Sequence, residues 1–190
     1  WYAGEKGGKA IADVIFGDYN PAGRLPITFY KSLGDLPDFE NYSMENRTYR
    51  YFMGEPLYSF GYGLSFTQFN YSNLQISPKK VRTGETVKIM VDVKNIGEMT
   101  GDEVIQLYLS HHSSKYRLPI RELKGFSKIN LKGGETRKIE FRLTPAEYSI
   151  VNNEGKRVVE PSKVSIWIGG CQPGFDNRQN IISGSFELIK

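Results

Sequence analysis

The segment VKIMVDV, residues 87–93, indicates the structure of the larger part of this chain. Val87, Ile89, Val91 and Val93 occupy every second position, and Lys88, Met90 and Asp92 lie between them. A period of two residues is typical of a β-strand that buries one face and exposes the other. The stretch therefore predicts a strand of a sheet that covers a hydrophobic core.

Similar stretches recur outward from this one, separated by turn-forming sequences. Strand-like runs occur at residues 105–109, 123–131, 139–143, 164–168 and 182–188. Residues 149–160 predict a hairpin around Asn153-Glu154-Gly155. About seven strands at such spacing predict an immunoglobulin-like or fibronectin type III-like antiparallel sandwich over residues 73–190. In this sandwich Gln106, Tyr108 and Trp167 are expected to point outward.

The stretch PLYSFGYGLSFTQF, residues 56–69, precedes the sandwich and has neither a strand period nor a helix period. It combines five aromatic rings with Gly61 and Gly63. Glycines between large rings indicate a backbone that turns sharply or lies close against another surface. We interpret residues 56–69 as a clasp between two regions, and we assign residues 56–72 to an aromatic connector. A loop whose rings plug the sandwich is the alternative, and both interpretations can hold.

Residues 1–55 lack the elements of an independent domain. Residues 4–16 predict one helix with an apolar face, residues 25–29 a short strand, and residues 30–56 little periodic structure. These elements cannot enclose a core, so we interpret the region as the C-terminal fragment of an α/β domain completed by upstream elements. The chain begins at Trp1 without Met, which adds to the expectation that a larger protein precedes it.

The composition excludes several classes of protein. The net charge is +4, and the basic residues are scattered through strand-like segments, which argues against nucleic-acid binding. No apolar run approaches 18 residues, which argues against a membrane span. The single cysteine, Cys171, cannot form an internal disulfide and is expected to be a small buried hydrophobic residue.

Three motifs resemble the C-terminal region of family 3 glycoside hydrolases. They are WYAGEKGGKAIADVIFGDYNPAGRLPITFY at 1–30, NRTYRYF at 46–52 and PLYSFGYGLSFTQFNY at 56–71. The order and spacing match over the whole chain, and residues 35–52 resemble the β-xylosidase-like branch more than the plain β-glucosidases. The resemblance implies a terminal fibronectin type III-like domain, in agreement with the strand pattern.

The resemblance also implies where the chemistry lies. Retaining glycosidases need two carboxyl groups about 5–5.5 Å apart, and in this family the nucleophilic Asp and the acid/base Glu lie upstream of the matched region. We therefore predict no catalytic residue, cofactor site or metal site in this chain. Glu5 is a weak catalytic candidate, since its context resembles a late helix and a carboxylate is favoured near a helix start.

The function implied is a non-catalytic scaffold portion of a retaining exo-β-glycosidase acting on β-linked xylosides or glucosides. Its partners would be the upstream catalytic domains and, through the parent enzyme, an oligosaccharide or aryl glycoside. Family habits suggest a secreted or periplasmic protein. The alternative is a stand-alone fibronectin-like module that binds carbohydrate or protein.

Other candidate residues have a structural and a functional interpretation. Adjacent His111 and His112 would point to opposite faces of a strand, so a solvated pair in a polar loop is favoured over a metal site. Asp102 and Glu103 are expected to be surface charges. The run Arg47–Phe52 is favoured as a packed connector over the border of a sugar pocket, and Trp167 as a packed ring over a sugar-binding face. Asn41, Asn46 and Asn70 begin weak glycosylation sequons.

Overall fold

The computed structural model describes residues 3–175 and 180–190. Trp1, on which the expectation about the chain start rests, lies outside the described residues. Within them the strands are β1 (Phe69–Ser77), β2 (Lys80–Arg82), β3 (Val87–Asn95), β4 (Gly101–His111), β5 (Glu122–Leu131), β6 (Thr136–Leu143), β7 (Ile150–Val151), β8 (Arg157–Val158), β9 (Ser162–Gly169) and β10 (Ile182–Ile189). The helices are α1 (Gly7–Ile15), α2 (Thr48–Tyr51) and α3 (Pro145–Tyr148), with a 3-10 turn at Leu33–Asp35.

Two sheets form the sandwich. One has the strand order β1-β3-β6, and the other has the order β2-β10-β9-β4-β5. Strand β2 runs parallel to β10, and the other pairings are antiparallel. The predicted hairpin is confirmed as β7 paired with β8. This architecture confirms the predicted mainly-β sandwich.

The core lies between the two sheets. Val87, Val91, Leu107, Ile166 and Phe186 come from four strands and are almost completely buried there. Burial of each such side chain contributes about 1.5–3 kcal/mol relative to full exposure. The predicted alternation is confirmed in β3, where the odd-numbered residues from 87 to 95 are buried.

Strand β4 departs from the simple alternation, because all its residues from Ile105 to Leu109 are buried. Gln106 and Tyr108 were expected to point outward, and they do not join the core cluster between the sheets. They are nevertheless shielded from solvent, because chain segments from outside the sandwich lie against this part of the five-stranded sheet. The polar and aromatic positions of β4 therefore belong to a second, outer layer of packing.

The segment before the sandwich contains little regular structure. The predicted helix begins at Gly7, three residues later than expected, and none of its residues is buried. The predicted strand at residues 25–29 is wrong, since only Phe29 forms a bridge, to Tyr58. Pro26 has no N–H group, so a continuous ladder cannot pass through this position.

Candidate functional site

The clasp, residues 56–69, is bonded to the segment that precedes it. The backbone N–H of Leu25 donates to the carbonyl of Tyr62 at 2.9 Å, and the N–H of Gly61 donates to the carbonyl of Leu25 at 2.7 Å. Phe29 continues this contact by its bridge to Tyr58. One side of the clasp therefore fixes residues 25–29 without forming a regular strand.

The other side of the clasp is bonded to the sandwich. Gln106 on β4 donates from its amide to the carbonyls of Gly61 at 3.3 Å and Gly170 at 2.7 Å. The hydroxyl of Thr67 donates to the side-chain oxygen of Asn95 at the end of β3, at 2.5 Å. These bonds satisfy polar groups that are buried, which is why they favour one position of the clasp.

Gly61 and Gly63 allow the close approach that the sequence predicts. Gly61 has a φ of 77°, and a Cβ atom there would lie 2.2 Å from the side-chain oxygen of Gln106. A Cβ atom at Gly63 would lie 2.1 Å from the carbonyl oxygen of Gly23. Both positions exclude a side chain, so the prediction of close backbone contact is confirmed.

Aromatic packing extends the same contact. The rings of Phe60 and Tyr49 are stacked at 4.2 Å between centroids, and Tyr49 meets Tyr108 edge to face at 6.1 Å. The hydroxyl of Tyr49 accepts a hydrogen bond from the N–H of Leu123 at 3.0 Å. The clasp thus joins two regions and also covers part of the sandwich, although Tyr58 and Phe66 remain exposed.

A buried ion pair lies beneath the clasp. Arg24 donates from Nη2 to Glu103 at 2.9 Å, and their side chains are 8% and 3% exposed. Tyr71 donates its hydroxyl proton to the second carboxylate oxygen of Glu103 at 2.9 Å. The expectation that Glu103 is a surface charge is therefore wrong, because the covering segment supplies its guanidinium partner.

The electrostatics of this group follow from its burial. Burial raises the pKa of Glu103, and the charge of Arg24 and the hydrogen bond from Tyr71 oppose that rise. Burial also raises the pKa of Tyr71 well above its usual value, and the neighbouring carboxylate adds to the effect. Arg24 is further held by a bond from Nε to the carbonyl of Gly170 at 3.0 Å. The ion pair therefore joins the segment that precedes the clasp, which carries Arg24, to the sandwich, which carries Glu103.

The run Arg47–Phe52 lies against the end of the loop between β4 and β5. Arg50 binds Glu122 at 2.6 Å, and its carbonyl accepts a hydrogen bond from the N–H of Ile120 at 2.7 Å. The guanidinium groups of Arg50 and Arg117 both lie over the ring of Tyr51, at 5.5 Å and 5.2 Å from its centroid. These contacts are those of a packed connector.

The two histidines bind different partners. His111 is the last residue of β4 and not part of a loop, and its Nδ1 lies 3.1 Å from the hydroxyl of Ser162. His112 Nε2 lies 2.6 Å from the hydroxyl of Ser165. Burial lowers the pKa of His111, and the nearby charge of Lys124 lowers it further. Among residues 3–175 and 180–190, no three His, Cys, Asp or Glu side chains form a group that could hold a metal ion.

The remaining candidates are dispersed over the molecule. Glu5 is exposed in the turn before α1. Asp102 is partly exposed and binds Lys128 at 2.8 Å, and this contact lowers the pKa of Asp102. Trp167 is half-buried on β9, opposite Tyr108 and Ser183.

The sequon asparagines differ in their exposure to solvent. Asn41 is exposed, whereas Asn46 and Asn70 are half-buried. Cys171 is fully buried, as predicted.

Sequence reasoning did not identify Arg24, Tyr71 and Gln106 as a connected polar group. One signal was available for β4, because its sequence EVIQLYL is nearly continuous in apolar residues. Such runs are typical of strands that are buried on both faces. No comparable signal marked Arg24, whose partner Glu103 lies far along the chain.

Comparison with known proteins confirms the resemblance. Residues 1–66 match the family model for the glycosyl hydrolase family 3 C-terminal domain, and residues 103–172 match the fibronectin type III-like domain. The chain is 38% identical over 201 residues to the periplasmic β-glucosidase of Salmonella typhimurium, covering 100% of this chain and 26% of that protein. It is 39% identical over 170 residues to a xylan 1,4-β-xylosidase of Xylanibacter ruminicola, covering 89% of this chain and 19% of that protein.

A solved structure shares the whole arrangement. β-Glucosidase 3B from Thermotoga neapolitana, in complex with α-D-glucose, matches with a TM-score of 0.85 and 32% identity. The match covers 98% of this chain and 27% of that one. The chain thus spans about a quarter or less of the proteins that it resembles. Within the described residues, no helix is both long and apolar enough to cross a membrane.

Proposed function

We propose a scaffold role for this chain, which belongs to glycosyl hydrolase family 3. It is the non-catalytic C-terminal portion of a retaining exo-β-glycosidase that acts on β-linked xylosides or glucosides. The nucleophilic Asp and the acid/base Glu are supplied by upstream domains. Relatives named β-glucosidase and β-xylosidase, each much longer than this chain, support the assignment.

The observation that carries the proposal is the uncovered apolar face of α1. Ile11 and Ile15 are 59% and 71% exposed, although they lie on the apolar side of an amphipathic helix. Ala10 and Val14 lie beside them around the same shallow depression. A helix of this kind is normally stabilised by packing its apolar face, which supports a docking site for upstream elements of an α/β domain.

The clasp connects the N-terminal segment to the sandwich. Because residues 57–67 bond both to residues 25–29 and to the sandwich, the position of the N-terminal segment is linked to the sandwich. In the parent enzyme the sandwich would brace the segment that completes the α/β domain. The stand-alone module is disfavoured, since residues before 73 cover Gln106 and Glu103.

The periplasmic relative supports a secreted or periplasmic location for the parent protein. The substrate, an oligosaccharide or aryl glycoside, would reach this chain only through that parent. Neither a cofactor nor a metal ion is required by the two-carboxylate chemistry.

A kinetic experiment tests the proposal. The purified chain and the full-length parent are assayed with nitrophenyl β-xyloside and β-glucoside. We expect turnover by the parent and none by the chain alone. Turnover by the chain that disappears in the Glu5→Gln variant would refute the scaffold role.

A docking experiment tests the helix face. In the parent, Ile11→Gln should lower both the melting temperature and the activity. Lys9→Gln places the same neutral side chain on the exposed, polar side of α1, removes only an exposed ion pair, and serves as the control. Equal effects of the two substitutions would contradict docking through the apolar face.

A further inference from the structure

A cavity of about 320 Å³ lies beside the buried ion pair, at the junction between the clasp and the sandwich. Leu64 and Gln68 of the clasp line it, and Ile96 lines it after β3. Arg24 and Glu103 also belong to its wall. The volume is at the lower end of the range of roughly 300–1,000 Å³ that is usual for small-molecule sites.

The polar wall of the cavity is held in place by the rest of the fold. Arg24 donates to Gly23, Gly170 and Glu103, and each contact uses a different nitrogen of its guanidinium group. A guanidinium group has five N–H donors, so Arg24 keeps capacity for a further acceptor. Glu103 receives Tyr71 and Arg24 on separate oxygens, and each carboxylate oxygen can accept a further donor. The wall can therefore donate hydrogen bonds from Arg24 and accept them at Glu103 in its present conformation.

The charge of the wall selects the kind of ligand. Arg24 and Glu103 neutralise each other, so a ligand with a net charge would meet one like charge at close range. A neutral ligand with several hydroxyl groups can donate to the carboxylate and accept from the guanidinium group at the same time. The exposed amide of Gln68 at the rim adds a donor and an acceptor.

One part of the remaining wall is apolar, and the other part consists of further polar residues, namely Ser65, Thr67, Asn70 and Asn180. Leu64, Phe69 and Ile96 contribute hydrocarbon surface, and Leu64 and Ile96 are largely exposed. A small ring that carries both C–H faces and hydroxyl groups would meet both parts of this wall. Ligand sites usually combine hydrocarbon surface with a few fixed polar groups, and this wall contains both.

We propose that this cavity binds a neutral polyhydroxylated molecule of monosaccharide size. Glu103 is the one carboxyl group among the residues described as lining the cavity, whereas glycoside hydrolysis needs two, so the proposal concerns binding alone. The existence of the site does not depend on the proposed scaffold function. It is a binding site formed jointly by the clasp and the sandwich.

Titration of the 190-residue chain with D-xylose and D-glucose, followed by saturation-transfer NMR and calorimetry, tests the site. We expect saturable binding with a dissociation constant in the range of about 1–50 mM, typical of weak recognition by one small site. Ile96→Trp should fill the cavity and weaken binding at least tenfold.

Val151→Trp is the matched control, because Val151 is 51% exposed and Ile96 is 54% exposed, but Val151 lies in the β7–β8 hairpin and does not line the cavity. This control should bind as the unchanged chain does. Gln68→Ala provides a second variant at an exposed position, should Ile96→Trp fail to fold, and it should also weaken binding.

Three results would overturn the proposal. They are the absence of saturable binding by the unchanged chain, equal binding by the Ile96→Trp and Val151→Trp variants, and tighter binding of D-glucuronate or D-glucosamine than of D-glucose. The last result would show that the ion pair does not select a neutral ligand.

Discussion

Arg24 and Glu103 are 79 positions apart in the chain and form an ion pair of 2.9 Å from which solvent is almost excluded. Arg24 comes from the segment that precedes the clasp, and Glu103 comes from β4 of the sandwich. The pair therefore exists only when both regions are folded and in contact. It links the stability of the N-terminal segment to that of the sandwich.

Replacing one partner of this pair should be strongly destabilising. Arg24→Met or Glu103→Gln should lower the free energy of unfolding by about 3–5 kcal/mol, because each leaves the other charge buried without its partner. The double variant should cost less than the sum of the two single variants. Urea unfolding of the four chains measures this coupling.

The exposed pair Lys9–Asp13 on α1, at 2.6 Å, provides the control. Lys9→Ala should change the unfolding free energy by only about 0.5 kcal/mol or less, since exposed ion pairs are screened by solvent. Similar losses in Lys9→Ala and Arg24→Met would show that burial does not determine the strength of the Arg24 pair.

Gly63 should not tolerate a side chain. Gly63→Ala should cost about 1–3 kcal/mol, because its Cβ would collide with the carbonyl of Gly23. Gly23→Ala is the matched control, since a Cβ there meets nothing within 4 Å. Thermal unfolding of the two variants should separate them, and equal melting temperatures would contradict the close approach.

His111 should make stability depend on pH below neutrality. Burial and Lys124 lower its pKa in the folded chain below the usual 6.5, while Glu122 and Glu160 oppose the shift. The unfolded chain therefore binds a proton first as the pH falls, and the stability present above pH 6.5 is lost between that value and the lower folded pKa.

The comparison with His111→Gln measures this effect. The difference in unfolding free energy, unchanged chain minus variant, should fall as the pH is lowered from about 7.5 to about 5.5. His112→Gln removes an exposed imidazole next to it and serves as the control. A difference that rises on acidification would show that the folded chain favours the charged imidazole.

The sandwich should be weaker without the residues that cover it. A chain of residues 69–190 would keep the whole of β1, expose Gln106 and Tyr108, and leave Glu103 without Arg24. We expect it to unfold at a lower urea concentration than the full chain, because buried polar groups lose their partners. Equal midpoints would mean that the clasp adds no stability to the sandwich.

Hydrogen exchange should distinguish the two parts of the chain. Amides of α1 should exchange early, because none of its residues is buried, whereas those of β3, β4 and β9 should be protected. Mass spectrometry of peptides from the 190-residue chain measures this order. Uniform protection from residue 3 onward would contradict the interpretation of residues 1–55 as a domain fragment.

The sequence was most informative where local pattern and tertiary burial agree. Val87, Ile89, Val91 and Val93 show the period of two, and the core buries all four. The motif resemblance identified the family because long runs of residues, including the clasp, match in order. The prediction of a short strand at residues 25–29 was wrong. The backbone hydrogen bonds of this segment are made with Leu57, Tyr58, Gly61 and Tyr62, in an irregular register that no local pattern specifies.

The β-sandwich, the clasp and the resemblance to family 3 glycoside hydrolases could all be predicted from the residues, because side-chain period and motif order are properties of neighbouring residues. The burial of Glu103, the covering of Gln106 and Tyr108 and the cavity beside the ion pair became visible only in the folded chain. A period of two shows which face a residue takes but not what covers that face. Here the cover comes from distant segments, including Arg24 and the clasp.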